Sequence, residues 1–291
     1  MADVNDEEYE DEDSAPVYEN EKLDILIRNV RLCKTPTFYV EVISNDDIRL
    51  IADELRVNRC WKTLRIIGHN QVKDDGAQYF FDALAANPAV KHLHLGGNSL
   101  GDAGISVFIP LFTSNTTITE LVLTDNHITE VGAKIIADML RLNSTIDTLV
   151  LHGNPLTDAG VISLTKGLYQ NQTLTVLKLT RTSVTDLAAE ELASLLRSKS
   201  TIELLSLDNN DIGDTGMQAL CSALEENQVL KCLNIRQNRI TDKSLDTIVN
   251  MLKTKRVFDR LDLARNQLSD QGKETIRQTS TDINMIKSLI L

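Results

Sequence analysis

The chain has 291 residues, 42% of them hydrophobic, with a formal net charge of −12 and a sequence pI near 4.9. A chain of that size buries roughly three quarters of its unfolded surface, so it is expected to fold on its own core without staples. The acidic balance argues against a nucleic-acid partner, which demands Lys and Arg gathered on one face, and no apolar run is long enough to span a membrane.

The first residues read MADVNDEEYEDED, with acid where a secretory leader carries bases and then an apolar run. Residues 1–22 hold ten acids and one base, Lys22, for a net of −9, which leaves about −3 for the remainder. Such a block cannot bury enough apolar surface to offset chain entropy, so a disordered, extended arm is expected. An arm of this kind solubilises the chain, or docks on a basic partner, with Ser14, Tyr9 and Tyr18 as its phosphorylatable groups. Residues 23–60 follow as an N-terminal cap of helix, strand and helix, in which LDILIRNV reads as helical and TFYVEVIS as a strand. The cysteines Cys33, Cys60, Cys221 and Cys232 show no C-x-x-C and no metal-ligand spacing, and all four read as buried free thiols.

From residue 61 to 285 the dominant pattern is a repeat of 28 residues, eight times over. Its asparagine column runs Asn70, Asn98, Asn126, Asn154, Thr182, Asn210, Asn238 and Asn266. Leucines stand five and three residues before it, as in Leu121 and Leu123 or Leu149 and Leu151, giving L-x-L-x-x-N. Leucines two apart share one side of a short strand. After the asparagine the period turns helical, and Thr129-Glu130, Thr157-Asp158, Thr185-Asp186 and Thr241-Asp242 read as a capping hydroxyl followed by a first-turn acid. IADELRVNRCWKTL matches IADMLRLNSTIDTL at 85 residues, three periods plus one, so one residue is inserted around Ile67 to His69.

Strand, loop and helix in 28 residues, as in LVLHGNPLTDAGVISLTKGLYQNQTL, resembles the leucine-rich repeat family in its ribonuclease-inhibitor-like subclass. The resemblance implies an α/β solenoid, a curved horseshoe with a concave parallel β-sheet, convex α-helices and asparagine side chains bonding backbone groups between turns. Thr182, with one short hydroxyl, is an expected weak point in that ladder. Residues 286–291 begin a truncated ninth strand, whose open edge offers a monomer a surface for weak self-association.

NTTI at 115, NSTI at 143 and NQTL at 171 match the N-glycosylation acceptor pattern. Asn115, Asn143 and Asn171 share a column with Asn87 and Asn227, which lack the pattern, so the helix end selects asparagine. A left-handed helix stop is the expected reason. With unpaired cysteines and no leader, the expected location is cytoplasmic.

No catalytic residue, metal site or cofactor is predicted, and the chain is expected not to be an enzyme. GGNSLGDAG from Gly96 has neither phosphate-loop nor dinucleotide spacing, and His92, His94 and His152 do not converge as a metal centre. The outward strand positions remain as a protein-binding surface: His94, Val122, Asp125, Val150, His152, Lys178, Arg181, Asp208, Arg236 and Arg265. Val122 and Val150 place two aliphatics side by side, while the C-terminal half is more basic and complements the chain's own acidic arm. The expected function is a non-enzymatic scaffold for a protein partner. Two alternatives come from resemblance: a GTPase activator similar to the Ran GTPase-activating proteins, and a filament-capping protein similar to the tropomodulin repeat domain.

Overall fold

Alternating leucines and a 28-residue period produce one continuous parallel sheet backed by helices. The structure, a computed structural model, describes residues 23, 25, 27–28, 36–41, 44–68, 74–198, 200–255, 257–283 and 286–291. The acidic arm, Cys33, His69, Asn70 and Lys199 lie outside the described residues. The strands are β1 (Thr37–Glu41), β2 (Thr63–Ile67), β3 (His92–His94), β4 (Glu120–Val122), β5 (Thr148–Val150), β6 (Val176–Lys178), β7 (Leu204–Ser206), β8 (Cys232–Asn234), β9 (Phe258–Asp262) and β10 (Ile286–Ile290). They pair in sequence order, every neighbour parallel, and leucine stands beside leucine from Leu93 through Leu121, Leu149, Leu177 and Leu205 to Leu233.

The returning segments are α1 (Asn45–Val57), α2 (Asp74–Ala85), α3 (Gly101–Val107), α4 (Ile109–Ser114), α5 (Glu130–Leu142), α6 (Thr157–Leu168), α7 (Asp186–Arg197), α8 (Asp214–Glu226), α9 (Leu245–Thr254) and α10 (Asp270–Ile283). A 3-10 turn, Asp242–Ser244, leads into α9. Between sheet and helices the middle strand leucines meet the inner helix faces, such as Ile136 and Leu140 of α5, all essentially buried. The N-terminal end of this core is aromatic, with Phe38 stacked on Trp61 at 4.3 Å and Phe81 against Phe108 at 3.9 Å. Leu64 pairs with Leu93, a sequence step one residue longer than that of the later strands, and the Gly68 amide still bonds the Gly96 carbonyl in the same register, so the inserted residue lies beyond Gly68.

The asparagine ladder forms as the repeat implies. Asn126 Nδ2 donates to the Leu95 carbonyl (2.7 Å), and Asn126 accepts on Oδ1 from the Asn98 amide (3.1 Å). Asn154, Asn210, Asn238 and Asn266 repeat that pattern toward the preceding turn. Thr182 interrupts it: its hydroxyl donates within its own repeat to Leu179 (2.8 Å), and it leaves the Leu151 carbonyl to Asn154 Nδ2 (2.9 Å).

The helix-end asparagines correct the expected left-handed stop. Asn58, Asn115, Asn143 and Asn227 have φ between −83° and −72° with extended ψ. They instead form a second ladder at the opposite end of the helices. Asn143 Nδ2 donates to Phe112 (3.1 Å), and its Oδ1 accepts from the amides of Thr145 and Ile146, both at 2.9 Å. Asn115 and Asn171 do the same toward Leu84 and Leu140, and all three glycosylation-pattern asparagines are buried.

A third ladder is built from first-turn aspartates of the helices, among them Asp158, which was expected there for the helix dipole. Asp102 accepts from the Thr129 amide, the Thr129 hydroxyl and the Gly132 amide, at 2.9, 2.6 and 2.9 Å, so it caps the helix of the following repeat. Asp158 serves Thr185 and Asp214 serves Thr241 and Ser244 in the same way. Burial opposes ionisation of Asp214, but the Ser244 and Thr241 hydrogen bonds outweigh it and hold the carboxyl below its usual range. Thr129 and Thr185 cap α5 and α7 as expected, whereas Thr157 does not cap α6 and sits at φ +59°. Cys60 is disulfide-bonded, which corrects the expectation of four free thiols; its partner lies outside the described residues, since Cys221 and Cys232 are free.

Two departures from the repeat give measurable consequences. Thr157 holds a left-handed conformation that costs a β-branched residue about 1–2 kcal/mol, while the equivalent residue two repeats earlier, Gly101, adopts φ +58° freely. Thr157→Gly is therefore expected to raise the unfolding free energy by about 1 kcal/mol in urea titration. Lys255 occupies the second asparagine column, 1% exposed, with Nζ donating to the Asn227 carbonyl at 2.6 Å, and burial pushes its ammonium down to about 8. A folded value below the ordinary lysine value of about 10.4 means that the unfolded chain binds the extra proton in between, so stability rises with pH from about 8 to about 10.4. Lys255→Asn should abolish that rise and should be the more stable protein at pH 7 by on the order of 1 kcal/mol in denaturant melts.

Candidate functional site

Each three-residue strand turns its middle leucine to the helices and its two flanking residues to the open face of the sheet. Four residues past the middle leucine the chain bends through a left-handed residue, a position that collects Gly97, Asp125, Gly153, Arg181, Asn209, Gln237 and Arg265, all with φ between +52° and +72°. The open face is therefore built from parallel rows, one residue per strand, about 4.8 Å apart. Backbone hydrogen bonds fix every row, so side chains of neighbouring repeats stand side by side.

The second flanking row holds His94, Val122, Val150 and Lys178, in direct register and all half-buried. The next row holds His152, Asp208 and Arg236, also half-buried, and the turn row holds the exposed Asp125, Arg181 and Arg265. All ten expected residues thus reach the open face. They do not form one cluster. Asp125 and Arg181 close an ion pair across the turn that Gly153 occupies, where a Cβ would collide with both. Lys178, Arg236 and Arg265 have no ion-pair partner among the described residues. Burial lifts Asp208 above the usual carboxylate range, against hydrogen bonds from Ser206 Oγ (2.9 Å) and the Arg236 amide (2.8 Å).

Toward the N-terminal strands, burial pushes the His94 imidazole below its ordinary value, although Glu120 Oε2 lies 3.5 Å from Nε2. His94 borders a shallow pocket of about 340 Å³ with Arg65, Ile67, Val122 and Asp125 on its walls, mostly apolar. No group of three or more His, Cys, Asp or Glu residues converges as a metal site among the described residues.

The sequence reading missed the first flanking row. The residue before the first leucine of each repeat faces outward, as His92 does before Leu93, and the same position in later repeats is not among the ten expected residues. Val176, Leu204 and Cys232 stand there in register on β6, β7 and β8, each half-buried. Together with Val122 and Val150 they make an apolar strip that crosses five strands and steps by one residue pair between β5 and β6. The signal was legible as a second period of aliphatics, two residues before Lys178, Ser206 and Asn234. Ser206 and Asp262, although they follow the core leucines of β7 and β9, are buried.

A sequence profile described as "Leucine Rich repeat" matches residues 86–108, 114–137, 170–193, 198–221 and 226–249. No curated protein sequence matches the chain. Among solved structures, the Rad7 and Elc1 complex in yeast aligns with a TM-score of 0.51 and 16% identity, over 84% of this chain and 66% of that one. Leiomodin-1 actin-binding site 2 aligns with a TM-score of 0.36 and 23% identity, over 42% of this chain and 69% of that one. The tropomodulin C-terminal domain of Caenorhabditis elegans aligns with a TM-score of 0.37 and 12% identity, over 44% and 77%. These likenesses concern the fold, and the 28-residue period is compatible with the ribonuclease-inhibitor-like subclass. Ten parallel strands in sequence order, an asparagine column that bonds turn to turn, and five profile matches in phase with it establish that the chain belongs to the leucine-rich repeat family.

Proposed function

We propose that the chain is a protein-interaction scaffold that holds a protein partner on the concave face of its sheet. The observation that carries this reading is the apolar strip of Val122, Val150, Val176, Leu204 and Cys232, left half-exposed between charged side chains on the face opposite the helices. Aliphatics at the centre of a patch with charges at its rim are the arrangement that protein interfaces use. Trp and Tyr are missing from the strip, which favours modest affinity and exchangeable partners. Against this, the GTPase-activator and filament-capping alternatives have no residues of the face assigned to them, and stimulated GTP hydrolysis and actin elongation assays separate them.

A cytoplasmic location belongs to the same reading, and the buried Asn115, Asn143 and Asn171 support it. Each side chain is consumed by bonds that the fold requires, and a glycan on any of them would block its repeat from closing. The Cys60 disulfide weighs the other way, since such bonds persist in oxidising compartments.

Substitution of the strip tests the scaffold. Val150→Glu, Leu204→Glu and Arg181→Glu are placed on half-buried or exposed positions, so each variant should melt close to the parent by circular dichroism. The expected result is that partners captured from native lysate by the full chain are lost by the strip variants. Retention of every captured partner by all three variants would sink the reading.

A further inference from the structure

The concave face carries three cations that the fold leaves unneutralised. Lys178 stands on β6, Arg236 follows β8 and Arg265 follows β9, and none has a carboxylate partner among the described residues. The other cations nearby are satisfied: Arg181 pairs with Asp125, and Arg260 pairs with the buried Asp262 at 3.1 Å. Asp208, between Lys178 and Arg236, accepts from Ser206 and the Arg236 backbone rather than from a cation. Beside these charges run the aliphatics Val176 and Leu204. A complementary ligand is therefore an extended acidic peptide with an occasional large apolar side chain.

The chain contains such a peptide. Residues 1–22 hold ten acids against one base, with Val4, Tyr9, Val17 and Tyr18 among them. They join directly to Leu23, which is helical and buried at the N-terminal end of the core. Twenty-two residues span up to about 70 Å when extended, whereas eight strand spacings, from β1 to β9, come to about 38 Å. The arm is thus long enough to reach all three cations. Exposed ion pairs are individually weak, but a tethered ligand acts at an effective concentration in the millimolar range, so a few of them suffice.

We propose that the acidic segment of residues 1–22 occupies the concave face of its own chain, setting its carboxylates on Lys178, Arg236 and Arg265 and covering the strip beside them. This inference rests on the concave face being the binding surface, and it names a competitor that a partner must displace. The covering is electrostatic, so it loosens as salt shortens the screening length from about 10 Å at 0.1 M to about 3 Å at 1 M.

Cys232 is a native reporter for the covering. Its thiol is half-buried on the strip, while Cys221 is fully buried inside the core. The full chain and a variant with Asp6, Glu7, Glu8, Glu10, Asp11, Glu12 and Asp13 changed to amides are alkylated with iodoacetamide, and the adduct at each cysteine is followed by peptide mass spectrometry. Expected is several-fold faster modification of Cys232 in the variant at low salt, with about 1 M salt bringing the parent to the same rate, and Cys221 unmodified throughout as the mark of an intact fold. Carbodiimide coupling supplies a second readout, a zero-length link between an arm carboxylate and Lys178. Equal Cys232 rates in both proteins overturn the proposal, as does coupling confined to convex lysines such as Lys134 and Lys166. Acceleration that depends on protein concentration also overturns it, since the arm then acts between copies. None of these measurements involves a partner, so failed partner capture and failed arm docking are told apart.

Discussion

A buried side-chain amide makes the whole molecule possible. Where a strand bends toward a helix, backbone groups point into the core with no sheet or helix partner, and each one left unpaired costs about 1–3 kcal/mol. Asparagine offers two donors and a carbonyl acceptor on the shortest amide side chain, so it binds carbonyls of the turn before and amides of the turn it belongs to or the one before. The Asn126-to-Leu95 and Asn98-to-Asn126 bonds do this beside the strands, and Asn143 and Asn171 do it at the far ends of the helices. Aspartates such as Asp102 and Asp158 close the remaining gap at the helix starts. Three polar ladders therefore frame one apolar core, and the leucines pack at a fixed spacing because the ladders set it.

Most of this architecture was legible in the residues. The L-x-L-x-x-N column gave strand, loop and helix, and the register of Leu93 through Leu233 follows it. The second column was also visible, because Asn87 and Asn227 lack the glycosylation pattern yet stand in phase with Asn143. Its physical cause was not visible. A left-handed stop and a buried inter-repeat bond select the same residue, and only the extended φ of Asn115, Asn143 and Asn227 separates them. The Asp158 carboxylate reads as a local dipole partner for the same reason: a sequence shows which residue recurs but not which repeat its side chain reaches.

The site was legible in part. Val122, Val150, Lys178 and Arg181 lie where alternation puts them, because the pleat has a period of two whatever the surroundings. Whether charges cancel depends instead on reach across strands. Arg181 and Asp125 are two repeats apart and meet only because Gly153 between them has no side chain. Arg236 and Arg265 look no different in the sequence, yet neither has an ion-pair partner among the described residues.

The hydrogen bonds of all three ladders join residues no more than about one repeat apart, as in the 28-residue step from Asn126 to Asn154 or the 31-residue step from Asn154 to Leu123. Removing or adding one whole 28-residue unit therefore leaves every broken bond with an equivalent partner, and the sheet can heal. Such a change slides one half of the concave face past the other by a single strand spacing, about 4.8 Å. It would bring Lys178 beside a different aliphatic, or split Arg181 from Asp125, without touching the core. Duplication and loss of modules thus offer this chain a route to new recognition surfaces in which the scaffold is conserved and the spacing of its charges is the variable.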